Sequence, residues 1–313
     1  MRALRRLATT SVVLTYLHLV FGGFVRISGS GMGCGTSWPR CNGSWIPPFD
    51  QPTVLIEYTH RLLALLVGLS IAWLTYAARQ RRAEPGVGGP RGVLRASVTA
   101  LGLVIAVALL GMVTVKLGNH PAATVAHWTL AMTLLAVVIA AAVRTGALGG
   151  ESARLQGGTP RAVRSLAVGA ALAFLAVVLG GLVAKFPGAS VACTTFPLCG
   201  RATGVSRAAA DLQLTHRIIA YLLFFHVIGV ATAVSRRASE AEAVKLASRL
   251  AAGLVVAQLA IGAAMIMSGL RAPLRSAHEA VGVAVWLAMF GAAYLARISD
   301  IGHRTSDIGS ANS

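Results

Sequence analysis

Charge is scarce in this chain, and negative charge most of all: its 313 residues include ten Asp and Glu, and only 12% of positions are charged. A soluble domain of this length would carry roughly 25% charged residues, so a water-facing globular surface is excluded. Cysteine is scarce too, with four residues and no Cys-x-x-Cys motif. That excludes a disulfide-rich scaffold and a thioredoxin-like centre. What fills the chain instead is apolar: 56% of residues are hydrophobic and the mean hydropathy is +0.71. Runs of about 20 apolar residues, enough to cross a bilayer, recur eight times, at 8–26, 55–78, 93–115, 121–143, 163–184, 212–234, 246–268 and 274–296. The fold class this implies is an all-α integral membrane protein with eight transmembrane helices.

The formal charge of +18 invites a nucleic-acid reading, but the basic residues lie in short loops between apolar runs. Eighteen of the 28 Lys and Arg fall on one side of the implied membrane, in the groups Arg2–Arg6, Arg79–Arg95, Arg144–Arg164, Arg236–Arg249 and Arg297–Arg304. Positive charge marks the cytoplasmic face, so both termini are expected inside a cell membrane and no nucleic-acid partner is expected. The first apolar run is too long for a signal-peptide core and no clean small-residue cleavage site follows it, which reads as a retained helix.

The chain repeats itself. Glu57-Tyr58-Thr59-His60-Arg61-Leu62-Leu63-Ala64 is matched by Gln213-Leu214-Thr215-His216-Arg217-Ile218-Ile219-Ala220, and Gly22-Gly23-Phe24-Val25 by Gly180-Gly181-Leu182-Val183. Each half has four spans, an even number, so both enter the membrane the same way up. This is a parallel repeat, unlike the inverted repeats of many transporters. Two four-helix bundles are implied, over 1–145 and 163–297, joined by a cytoplasmic linker 146–162 and followed by a polar, disordered cytoplasmic tail 298–313. The cysteines fall in two outer loops, where close spacing and an oxidising compartment favour disulfides Cys34–Cys41 and Cys193–Cys199. Structural staples and thiol pairs that cycle are both open readings.

Four histidines share one pattern. His60, His127, His216 and His278 lie near the outer ends of the second, fourth, sixth and eighth spans. Two inward-facing helices of a bundle can offer a pair of imidazoles to a planar macrocycle, and imidazole is a haem-iron ligand whose second nitrogen takes an orienting partner. Zinc would want three or four ligands close together. The pairs His60 with His127, and His216 with His278, therefore read as two haem sites. His18, His226, His120 and His303 lack repeat partners and read as structural residues.

Glu57 lies three residues before His60, on the same helical face, and a carboxylate in an apolar setting is a functional candidate. Its counterpart, Gln213, cannot titrate. The asymmetry points to a catalytic site in the first half and a resident haem in the second, against the plainer reading that Glu57 caps its helix dipole. Arg61 and Arg217 follow the histidines, placed either to snorkel to headgroups or to pair with haem propionates. Arg26, Arg40, Lys185 and Arg201 are weaker propionate candidates. Trp38, Trp45 and Trp128 read as interfacial anchors.

These residues resemble the haem A synthase family over about residues 8–296. The resemblance rests on Glu57-x-x-His60-Arg61, His127, His216-Arg217, His278 and the loop Gly29-Ser30-Gly31-Met32-Gly33-Cys34 … Trp38-Pro39-Arg40-Cys41. The loop departs from the family's frequent Pro-Asp-Trp-Pro, carrying Gly35-Thr36-Ser37-Trp38-Pro39 with the cysteine spacing intact. The resemblance implies oxidation of the C8 methyl of haem O to a formyl group, through an alcohol and a hydrated aldehyde. It implies haem O on His60 and His127 beside Glu57, and a permanent haem B on His216 and His278. The partners implied are a haem O synthase, the bilayer and, left open, further copies of the chain. Two other functions compete: a bis-histidine b-type cytochrome, which leaves the Glu57/Gln213 difference unexplained, and a membrane thiol–disulfide or quinone oxidoreductase, which ignores the histidines.

Overall fold

The computed structural model describes residues 1–150 and 158–310, the side chains of 299–310 excepted. The expected linker therefore lies in part, over 151–157, outside the described residues, as do the last three residues of the tail. Eight helices carry the described fold: α1 Arg2–Ile27, α2 Pro52–Gln80, α3 Val93–Lys116, α4 Pro121–Thr145, α5 Pro160–Lys185, α6 Arg207–Arg236, α7 Glu242–Met267 and α8 Ala272–Ser310. All eight are long and apolar enough to cross a membrane, as a bilayer without water for free backbone groups demands. The chain is a multi-pass membrane protein. The polar segment after Arg297 corrects the expected disordered tail, because α8 continues as helix to Ser310.

Helix ends follow local chemistry more than hydropathy. Proline opens α2, α4 and α5, where its missing N–H costs nothing. The Thr159 hydroxyl accepts from the Ala162 N–H, and that of Ser206 accepts from the Ala209 N–H, capping α5 and α6. Gly146, at φ 75°, ends α4 in the left-handed conformation that glycine adopts without steric cost.

Neighbours in sequence are neighbours in space. In the first half α1 packs on α2, α2 on α3, α3 on α4, and α4 returns to α1; α5 to α8 do the same in the second half. The halves meet where α8 packs on α1 and α4, and where α4 packs on α5. Met132, Leu135 and Ile139 on α4, with Met289 and Ala292 on α8, are essentially fully buried there. Large apolar side chains of α2, α3, α6 and α7, such as Leu69, Ile105, Phe225 and Leu250, point outward, the mark of a lipid-facing surface.

Hydrogen bonds tie this seam along its length. Trp286 donates its indole N–H to the Met132 carbonyl at 3.0 Å, and the Tyr16 hydroxyl donates to the Ala280 carbonyl at 3.2 Å. Arg144 donates to the Tyr294 hydroxyl at 2.6 Å, and Arg26 pairs with Glu279 at 2.6 Å. A notable cross-packing accompanies the last pair. The Glu279 carboxylate lies against Gly23 of α1 and the Trp128 ring against Gly181 of α5, each so close that a methyl on the glycine would displace it. Trp128 is thus an inter-half packing residue rather than an interfacial anchor. Arg26, spent on Glu279, is no free propionate partner. Arg26→Ala leaves Glu279 without its cation, and a loss of about 1–2 kcal/mol is expected, between values for exposed and buried pairs. Thermal unfolding in detergent measures it; an unchanged Tm would mean the pair contributes nothing.

Candidate functional site

All four patterned histidines lie within the first ten residues of α2, α4, α6 and α8, so they sit toward one end of the molecule. Each ring is seated against a glycine of the preceding helix. A Cβ on Gly22 would fall 3.0 Å from His60 Nε2, and one on Gly111 3.0 Å from His127 Cε1. In the second half the same positions, Gly180 and Gly262, would bring a Cβ to 3.3 Å from His216 Cε1 and 3.2 Å from His278 Cε1. Each expected pair thus lies within one half, at matching depth and on matching glycine seats.

The ring nitrogens differ in their partners. His127 Nδ1 lies 3.0 Å from the Val107 carbonyl oxygen. An oxygen that can only accept fixes the proton on Nδ1 and leaves the Nε2 lone pair free for a metal. His278 Nε2 lies 3.3 Å from the Gln258 amide, and the backbone of Ala176 and of Gln258, each four residues before the seating glycine as Val107 is, lies beside His216 and His278. A backbone carbonyl that holds the proton on one ring nitrogen leaves the other as a lone-pair donor, and a donor set of this kind fits a group that supplies acceptor orbitals, as haem iron does. Among the described residues no three His, Cys, Asp or Glu side chains converge on a common metal position.

His18, read from the sequence as a structural residue, lies beside the first pair. It stacks on His60 with ring centroids 4.3 Å apart and an interplanar angle of 26°, and its Nδ1 is buried without a partner. A signal was present: His18 lies four residues before Gly22, one turn along the same face of α1. His226, by contrast, hydrogen-bonds the Ser165 carbonyl at 2.8 Å and is absorbed in packing.

Glu57 and the two arginines build the outer loops. Glu57 is 4% exposed; its Oε1 accepts from Arg61 at 2.7 Å and its Oε2 from the Cys34 backbone N–H at 2.8 Å. Arg61 also donates to the carbonyls of Ser37 and Arg40 at 2.9 and 2.8 Å. Arg217 repeats the device, donating to the carbonyls of Cys193, Thr195 and Leu198 at 3.1, 2.7 and 3.0 Å. Both guanidinium groups therefore anchor loops, a role neither snorkelling nor propionate pairing anticipated. Gln213 takes no part, and its Oε1 is buried and unpartnered.

Each anchored loop is closed by a disulfide, Cys34–Cys41 and Cys193–Cys199, with Cα atoms 4.4 and 4.7 Å apart. Trp38–Pro39 and Phe196–Pro197 are cis peptides at matching places in the two loops. Trp45 is 64% exposed beside Arg40, whose guanidinium lies 5.3 Å from its ring.

Comparison with known proteins agrees with this layout. The model of a family described as cytochrome oxidase assembly protein matches residues 5–55 and 49–290. The chain belongs to that family. Its similar relatives include the haem A synthases of Geobacillus kaustophilus, 24% identical over 88% of this chain and 86% of the relative, and of Symbiobacterium thermophilum, 28% identical over 91% and 93%. A third, from Geobacillus thermodenitrificans, is 26% identical over 88% of this chain and 86% of its own length. For this family member, Arg217→Ala removes three charge-assisted bonds from the second loop. Losing about 1.4 kcal/mol of anchoring should make Cys193–Cys199 about tenfold more reducible, read as thiol labelling after mild reductant. Labelling at the wild-type rate would show that the carbonyl bonds do not hold the loop.

Proposed function

We propose that the chain is a haem A synthase, an oxidoreductase that converts the C8 methyl group of haem O to the formyl group of haem A. The observation that carries this reading is two glycine-seated histidine pairs in repeated bundles, of which only one has a carboxylate beside it. Family membership and the names of the relatives support the same substrate. In this reading residues 1–145 form the catalytic half and 163–297 the half that keeps a resident haem B. His60 and His127 hold haem O; His216 and His278 hold haem B, which supplies one-electron transfer when bound.

The residues divide the work. His127, with its proton fixed on Nδ1 by Val107, presents Nε2 to the substrate iron. Glu57 offers negative charge to cationic character developing at the reacting carbon, and its bonds to Arg61 and Cys34 hold the carboxylate still, so little reorganisation is needed when charge appears. The Arg217 Nε–H, buried and without a partner, is a donor left over for a propionate of the resident haem. Arg61, committed to Glu57 and the loop carbonyls, would meet a propionate of the substrate only beside those bonds. Gln213 cannot supply the charge that Glu57 does, which fits a half that stores electrons without turnover.

The distribution of basic residues supports a cell-membrane orientation with both termini cytoplasmic and the cysteine loops and histidine ends outside. A haem O synthase that hands over the substrate is the expected partner. The disulfides close the two loops that Arg61 and Arg217 anchor.

The test is to purify the chain from cells that make haem O, extract the non-covalent haem and weigh it. Haem B together with haem O, haem A or the intermediate alcohol is expected. Haem B alone would favour a plain cytochrome, and no haem would remove the histidine reading. Glu57→Gln is expected to retain both haems yet lose haem A formation by at least about 100-fold, the loss of one preorganised electrostatic contact. An undiminished yield would remove Glu57 from the chemistry and leave it a loop anchor.

A further inference from the structure

The first half carries a histidine that the second half lacks. Counting back four residues from the glycine that seats the first ring gives His18 in α1, but Ala176 in α5. Both halves are otherwise built alike at this level, with Gly22 under His60 and Gly180 under His216. His18 is therefore an addition to one site of a matched pair. It is placed against the ring that would ligate iron, at 4.3 Å between centroids. Its Nδ1 is buried and bonded to nothing in the protein. His226, by comparison, meets the Ser165 carbonyl at 2.8 Å.

Two stacked imidazoles cannot bind one iron from the same side at once. They can bind it in turn. The three rings do not converge as a three-ligand metal site, which leaves alternation and not joint ligation. We propose that His18 is a reserve axial ligand of the first-half haem, exchanging with His60 while His127 stays bound. The exchange breaks the iron bond to the His60 nitrogen and forms one to the His18 nitrogen; no electron moves and the iron keeps its oxidation state. Because His18 sits one turn, about 5–6 Å, further along α1 than Gly22, the iron bond released by His60 would be retaken by a ring already in place, and the open position would be short-lived. A substrate that must enter and leave profits from such a hand-over. A resident haem does not, and Ala176 stands where its spare ligand would be.

This inference rests on the reading that His60 and His127 hold the first-half haem, and the experiment separates the two. The full-length chain, loaded with haem O and haem B, is assayed for ferric low-spin haem per chain by electron paramagnetic resonance, against total haem as pyridine haemochrome. Wild type should show two. His60→Ala should still show two, because His18 takes over, whereas His216→Ala should show one. His18→Leu with His60→Ala should show one, and added imidazole should restore the second. His60→Ala at one low-spin haem, restored by imidazole, would overturn the reserve ligand while leaving the site reading intact. Two low-spin haems in His127→Ala would overturn the site reading and this inference with it. If His60→Ala does not fold, His60→Asn, which keeps a polar group against Gly22, is scored by the same count.

Discussion

Two helices can hold a flat ring edge-on between them only where one of them has no side chain in the way. Every candidate ligand here meets that condition through a single glycine on the helix before it: Gly22, Gly111, Gly180 and Gly262. Lipid gives no hydrophobic reward for helix association, so close backbone approach through small residues carries more of the packing than in water. The glycines therefore serve two ends. They draw each hairpin of helices together and they fix where each imidazole lies. A methyl at any one of them would push the ring off its seat by several tenths of an ångström and misplace whatever the ring binds.

On that shared frame the two halves have diverged at three matched places. Glu57 faces Gln213, His18 faces Ala176, and Glu279 faces Trp128. The first two add charge and a spare donor to the first half, while the second half keeps the simpler version of each. Loop anchoring has not diverged: Arg61 and Arg217 grip the two disulfide loops through backbone carbonyls. A carbonyl contact is indifferent to side chains, which explains how the loop can carry Gly35-Thr36-Ser37 in place of the commoner family sequence and keep its shape.

The spans were legible because a bilayer imposes a length and an apolar composition that sequence displays directly. Their ends were not, since Pro52, Thr159 and Ser206 extend α2, α5 and α6 beyond the apolar stretch by capping chemistry. The four histidines were legible through repetition, and the same rule hid His18, because a residue unique to one half carries no repeat signal. Trp128 was misjudged for a related reason. Its position near a helix start suggests an interfacial ring, but the glycine that receives it lies in the other half, and pairwise contact across a repeat is invisible to periodicity. The tail beyond Arg297 was read from polarity alone, which neither forbids nor requires a helix.

The cross-packing at the seam has a historical consequence. The residue after the second histidine of each half lies against the second glycine of the other half's first helix, so Glu279 meets Gly23 and Trp128 meets Gly181. A single four-helix copy with this arrangement would be completed only by a twin, each presenting its fourth helix to the other's first. Fusion of two such copies into one chain makes the partnership permanent. It also lets the two contacts, once bound to be identical, accept a carboxylate in one place and an indole in the other. The division of labour between the halves is a freedom that an assembly of identical subunits could not have had.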